Sequence, residues 1–250
     1  MRVFRGFDNL PPFRHAVATI GSFDGVHRGH CELLRCVVNE ARVRGGESIV
    51  LTFDPHPRIT LGRAEGLRLL STKGEKLRRL EEAGIDNVIF IPFTVEFSRL
   101  THEEFLSELV VGKASVETLV VGYNHRFGRD RQGDSLSVAA SGLDVVEVSR
   151  YEAEGDKVSS TVVRRAVSEG DMAAAWRLLG YPYTLSCRGC GDEELEIEES
   201  EYKLLPPCGE YNARTEEDRE FHLRVAADGR VYADCRLSDG VNFIEILGKR

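Results

Sequence analysis

The stretch Val17-Ala18-Thr19-Ile20-Gly21-Ser22-Phe23-Asp24-Gly25-Val26-His27-Arg28-Gly29-His30 decides how the chain reads. It opens as a short apolar run and passes through a glycine-rich turn. It then enters Cys31–Arg44, where Leu33, Leu34, Val37, Val38 and Ala41 recur at helical spacing. Four further apolar runs follow at Ile49–Phe53, Val88–Ile91, Leu119–Val121 and Val145–Val148. All are short and rich in β-branched residues, as strands buried on both faces must be. Helical patterns at Lys73–Ala83 and His102–Val111 separate them, the second opened by Thr101 and Glu104 at capping-box spacing. Strands alternating with helices predict βαβ crossovers and an α/β domain with a doubly wound parallel sheet.

The style changes after Gly180-Tyr181-Pro182. Leu195 and Ile197 alternate with glutamates, and Phe221–Val225, Val231–Leu237 and Phe243–Leu247 read as antiparallel strands separated by Asp228-Gly229 and Asp239-Gly240 turns. Charge divides at the same place. Residues 1–183 are near neutral at net −1, whereas residues 184–250 carry net −7. Two domains are therefore expected, 1–183 and 184–250, the second a small β unit near the lower size limit for an independent core. The 250 residues are 42% hydrophobic and 30% charged, a globular balance that excludes a disordered or collagen-like chain. The net charge of −8 argues against general nucleic-acid binding. No apolar stretch reaches the length of a membrane helix, and the first residues lack a signal-peptide core. Six cysteines are too few for a disulfide framework, so a cytoplasmic protein is expected.

Four segments carry chemistry. A glycine-rich turn leaving a parallel strand lets backbone approach a ligand, and the following helix offers free N–H groups to an anion. His27 and His30, three apart at that terminus, can donate to phosphoryl oxygens. No G-x-x-x-x-G-K-[ST] or G-x-G-x-x-G occurs, so phosphate contact falls to side chains. Thr52-Phe53-Asp54-Pro55-His56-Pro57 stiffens the loop after the second strand. Gly122–Gly133 combines aromatics with three arginines, suited to a flat ring or equally to a solvated basic loop. Val158-Ser159-Ser160-Thr161-Val162-Val163-Arg164 sets three hydroxyls before a helix, where capping alone would explain them, and places Arg164 one turn later.

These segments, in this order, resemble the adenylyltransferase module of the prokaryotic bifunctional riboflavin kinase/FAD synthetases, within the HxGH nucleotidyltransferase superfamily. The resemblance runs from about Val17 to Tyr183 and implies a Rossmann-like domain. It also implies AMP transfer from ATP, with Mg²⁺, to FMN, giving FAD and pyrophosphate. ATP and FMN are the partners it implies, with no nucleic acid or membrane, and self-association is left open. By position His27, His30 and Arg164 would be catalytic. Gly21, Phe23, Asp24, Gly29, Asn124, Ser159, Ser160 and Thr161 would hold ATP, and Phe53, Pro55, Pro57 and Phe127 would line the flavin. His125 stands where relatives often have an aromatic residue.

In bifunctional relatives a six-stranded barrel follows, with a Pro-Thr-Ala-Asn signature that helps hold Mg-ATP. Here no Pro-Thr-x-Asn occurs, although Glu220 falls near the expected catalytic glutamate. A degenerate, truncated barrel without kinase activity is expected, capping or stabilising the first domain or mediating self-association. The alternatives are a kinase site of unusual build, another phosphate acceptor, or a non-catalytic flavin- or nucleotide-binding protein. Cys187-x-x-Cys190, with Cys208, Cys235 or His222, offers a weak zinc reading beside the simpler one of incidental thiols.

Overall fold

The computed structural model describes residues 1–123, 127–128, 132–149, 152–153, 156–189 and 193–250. Its contacts form two units. The first comprises Met1–Phe23, His30–Gly66 and Leu80–Tyr151; the second comprises Asp24–Gly29, Leu67–Arg79 and Glu152–Arg250.

The first unit is built on a six-stranded sheet of β1 (Arg2–Arg5), β2 (Ala16–Ile20), β3 (Ser48–Asp54), β4 (Asn87–Pro92), β5 (Val116–Gly122) and β6 (Asp144–Val148). Every pairing is parallel and the strand order is β1-β4-β3-β2-β5-β6. The five runs expected from the sequence are β2 to β6. Residues of β2 are buried throughout, because helices cover a parallel sheet on both faces. Helix Arg28–Val43 buries Leu34, Val37 and Ala41, the stripe seen in the sequence. Thr101 and Glu104 form the reciprocal capping box, but the helix they start changes winding. It takes a wider π turn over Phe105–Val111, burying Phe105, Leu106 and Val110.

The second unit contains a closed antiparallel barrel. Its strands are β9 (Tyr183–Gly189), β10 (Glu194–Ile197), β11 (Gly209–Arg214), β12 (Glu220–Val225), β13 (Val231–Ala233) and β14 (Asn242–Lys249). They join in the order β10-β13-β12-β11-β14-β9, and β9 pairs back onto β10. Strict alternation fills the interior: in β12, Phe221, Leu223 and Val225 point in while Glu220, His222 and Arg224 point out. The expected strand Val231–Leu237 stops at Ala233. There the Asp234 carboxylate accepts both the His222 backbone N–H and an imidazole contact, each at 2.8 Å. A short ribbon, β7 (Glu152–Ala153) with β8 (Asp156–Lys157), precedes helices Ser160–Glu169 and Met172–Leu179. No helix among the described residues is long and apolar enough to cross a membrane.

Candidate functional site

In an open parallel sheet, ligands sit at the carboxyl ends of the strands where the winding direction reverses. Here that point lies between β2 and β5, whose carboxyl ends are Ile20 and Gly122. The glycine-rich loop begins there. Gly21 donates its N–H to Leu51 O at 3.0 Å, and a Cβ on it would lie 3.1 Å from the Phe23 ring. Phe23 is buried with φ +47° and sits 5.2 Å, centroid to centroid, from the His30 ring. The sequence-predicted residues Gly21, Phe23 and His30 thus form one cluster.

The rest of the loop belongs to the second unit, where Asp24 is its anchor. One carboxylate oxygen accepts the N–H groups of Leu70 (2.8 Å) and Ser71 (3.1 Å); the other accepts Arg164 Nη2 at 2.8 Å. Ser160 Oγ donates to Asp24 O at 3.0 Å, and Arg164 Nε donates to Arg68 O at 2.7 Å. Gly25 N donates to Ser71 Oγ at 3.1 Å, while Gly25 O accepts the Tyr181 hydroxyl. These bonds hold an unusual backbone. Gly25 has φ +80°, and Val26, a buried β-branched residue, has φ +32°. Such residues persist in the left-handed region only where their surroundings over-determine them.

The predicted residues Asp24, Ser160 and Arg164 are therefore brought together. Ser159 caps its helix by accepting Val162 N–H, and Thr161 beside it is exposed. Arg164 was expected to face phosphate, yet two of its N–H directions are spent on protein oxygens. It organises the loop as well as offering charge. His27 is 5% exposed, and burial lowers its pKa to about 4 against smaller opposing contributions from its own backbone and Asp24. It is neutral at pH 7 and brings no charge to the loop. Gly29 leaves room for that ring, since a Cβ there would lie 3.3 Å from it.

In the first unit, Phe53 and Phe127 lie at opposite ends of an aromatic row. Phe53 meets Phe93 at 5.3 Å, Phe93 meets Phe97 at 5.3 Å, Phe97 meets Phe105 at 5.8 Å and Phe105 meets Phe127 at 6.3 Å. Pro55 is exposed, and Pro57 opens a single helical turn, Pro57–Thr60, in which His56 Nδ1 accepts Arg58 N–H at 3.2 Å. Gly128 and Gly133 are needed where they stand. A Cβ on either would come within 2.8 Å of His102 Cβ. Asn124 and His125 lie outside the described residues.

Sequence reasoning missed Arg68, Leu70, Ser71 and Tyr181 around Asp24, and Phe93, Phe97 and His102 along the aromatic row. The aromatic spacing Phe93–Phe97–Phe105 was visible, but nothing local marked residues 67–72.

No group of three or more His, Cys, Asp or Glu that could hold a metal occurs among the described residues. Asp24, the carboxylate of the loop, has both oxygens committed. In the barrel, Cys187 is buried and its thiol is pushed up to about 12 by desolvation, with Glu75 and Glu198 adding to the effect. Cys190 lies outside the described residues. Glu220 is exposed on β12. At one end of the barrel a cavity of about 340 Å³ is lined by Glu193, Glu194 and Asp239 against Arg188 and Arg236.

Fold and site together define an α/β protein with a glycine-rich loop built against a helix N-terminus, an arrangement suited to a phosphorylated ligand. The family model for FAD synthetase matches residues 11–162, and the chain belongs to that family. It is 37% identical over 201 residues to the bifunctional riboflavin kinase/FMN adenylyltransferase of Escherichia coli (strain K12), covering 78% of this chain and 64% of that relative. It is 32% identical over 226 residues to the protein of the same name from Listeria monocytogenes, covering 85% and 72%. The chain thus spans 64% of the length of the Escherichia coli relative. A crystal structure described as a macrolide-efflux protein from Streptococcus pneumoniae superposes with a TM-score of 0.86. It shares 22% identity, covering 100% of this chain and 91% of that one, and shows the fold alone.

Proposed function

We propose that the chain transfers the adenylyl group of ATP to the phosphate of FMN, releasing pyrophosphate and giving FAD, and that its barrel does not phosphorylate riboflavin. The observation that carries the first part is the family match over residues 11–162, which contains the clamped loop at the carboxyl end of β2. An FMN phosphate oxygen attacks the α-phosphorus of ATP. The new P–O bond forms as the bond to the bridging oxygen breaks, and pyrophosphate leaves with that electron pair. The chain's part is positioning and charge stabilisation. His27, neutral, and His30 donate N–H groups to phosphoryl oxygens. The N-terminus of helix Ser160–Glu169 and Arg164 face the leaving pyrophosphate, and Asn124 acts near the reacting phosphorus. Phe53, Pro55, Pro57 and Phe127 receive the flavin ring, with Phe93 and Phe97 extending the same apolar surface.

For the barrel, the support is the absence of Pro-Thr-x-Asn from the sequence and the net charge of −7 on residues 184–250. A nucleotide polyanion is disfavoured by a segment of that charge unless cations intervene. A chromatographic assay with Mg-ATP, run once with FMN and once with riboflavin, tests both parts. FAD from FMN and no product from riboflavin is expected. FMN or FAD formed from riboflavin refutes the barrel reading, and no product from either refutes the transferase reading.

A further inference from the structure

We propose that Lys203, from the barrel side of the second unit, is a positioning residue for the nucleotide loop Asp24–Gly29, acting through the strap Leu67–Thr72. The inference rests on the transferase reading above and gives the barrel a part in that reaction. Lys203 has no exposed side-chain surface. Its ammonium donates to Thr184 O of β9 at 2.8 Å, to Glu75 Oε2 at 2.5 Å and to Leu70 O at 2.7 Å, so all three protons are used. Glu75 completes the network: its other oxygen accepts Ser186 N–H of β9 at 2.7 Å, and Oε2 also accepts Thr72 N–H at 3.1 Å. Backbone pairing runs alongside. Leu69 N donates to Tyr202 O at 2.7 Å, and Leu204 N donates to Leu69 O at 2.8 Å.

Leu70 is the joint. Its carbonyl is taken by Lys203 and its N–H is given to Asp24, within one residue. From Asp24 the connection continues to Arg164 and, through Ser71 Oγ, to Gly25. An unbroken line of hydrogen bonds therefore leads from β9 to the loop that carries His27. Stability alone does not call for this design, because well-packed apolar side chains often replace a buried ion pair without loss. A lysine that binds a strand carbonyl and a strap carbonyl at once fixes their separation, which an apolar side chain cannot do.

The test compares wild type with Lys203→Met, Glu75→Gln and the double variant. Lys203→Met alone leaves Glu75 buried without its cation and lowers the melting temperature; the double variant removes both charges and regains the part of that loss due to the unpaired carboxylate. Positioning predicts that kcat for adenylyl transfer in the double variant still stays on the order of tenfold down, with KM for FMN within about twofold. Amide exchange across 24–29 and 67–72, followed by mass spectrometry, should be faster than in wild type. Recovery of kcat together with melting temperature overturns the proposal, as does unchanged exchange at 24–29. If wild type itself makes no FAD, the transferase reading fails on its own, and the exchange measurement still decides whether Lys203 holds the loop.

Discussion

Replacing Asp24 by Asn changes one charge in the centre of the loop and almost nothing in shape. The amide oxygen can still accept the N–H groups of Leu70 and Ser71, but the NH₂ then faces Arg164, donor against donor. The Asp24 side chain is 6% exposed and that of Arg164 is 30% exposed, so the pair is only partly shielded. Breaking a fully buried pair costs about 3–5 kcal/mol, and one charge-assisted hydrogen bond is worth about 1.5–3 kcal/mol. Solvent on the arginine side places Asp24→Asn near the lower range, at about 2–3 kcal/mol. Arg164→Met costs less, since Asp24 keeps its two backbone donors. Urea unfolding of both single variants and the double variant gives the coupling energy, expected at about 1.5–3 kcal/mol. A coupling below about 0.5 kcal/mol, with Arg164→Met stable but showing a raised KM for ATP, would refute the reasoning. The guanidinium would then belong to the phosphates and not to Asp24.

Gly25→Ala must take φ +80° and bring its Cβ within 2.8 Å of Leu70 Cδ1, so a loss of about 1–3 kcal/mol is expected on thermal or urea unfolding. His27 titrates at about 4 when folded against 6.5 when unfolded, so between those values the unfolded chain binds more protons. Stability therefore falls as pH drops from 6.5 towards 4, by about 3 kcal/mol from this group; in His27→Gln that component should vanish from urea midpoints measured across the window. His30→Ala should lower kcat on the order of 10²-fold with FMN binding little changed, measured by steady-state FAD formation and flavin titration. Phe53→Ala should weaken FMN binding while leaving KM for ATP within about twofold, seen in the same two measurements.

The parallel sheet was legible because β2 to β5 are buried on both faces and so read as uninterrupted apolar runs. β1 was not: Arg-Val-Phe-Arg is a short edge strand, mostly exposed, with charged ends that blunt an edge and hide the pattern. The loop announced itself through Gly21, Gly25, His27, Gly29 and His30, residues chosen for backbone freedom and chemistry within ten positions. Its supports did not. Asp24 meets Arg164 across 140 residues and Lys203 meets Glu75 across 128, and no local periodicity records a partner at such distances. The aromatic row falls between these cases. Phe97 and Phe105 lie close enough in sequence to suggest contact, but Phe53 and Phe127 reach the row only through the strand order. Composition signalled the acidic barrel as a change of style, while the buried Lys203 inside it ran against the trend and stayed invisible.

The way the barrel closes imposes a schedule on the newborn chain. β9 is made early, but its second neighbour is β14, so the ring stays open until Asn242–Lys249 has been synthesised. At translation speeds of roughly 5–20 residues per second, that interval lasts seconds. Residues 67–79, which include the strap, and the loop residues 24–29 are older still, and both belong to the unit that residues 152–250 complete. A ribosome that stalls before β14 leaves the loop with its sequence intact and the β9 side of its support without a closed ring. Completion of the loop's support is thereby tied to completion of the barrel, the last strand made being the one that closes the ring.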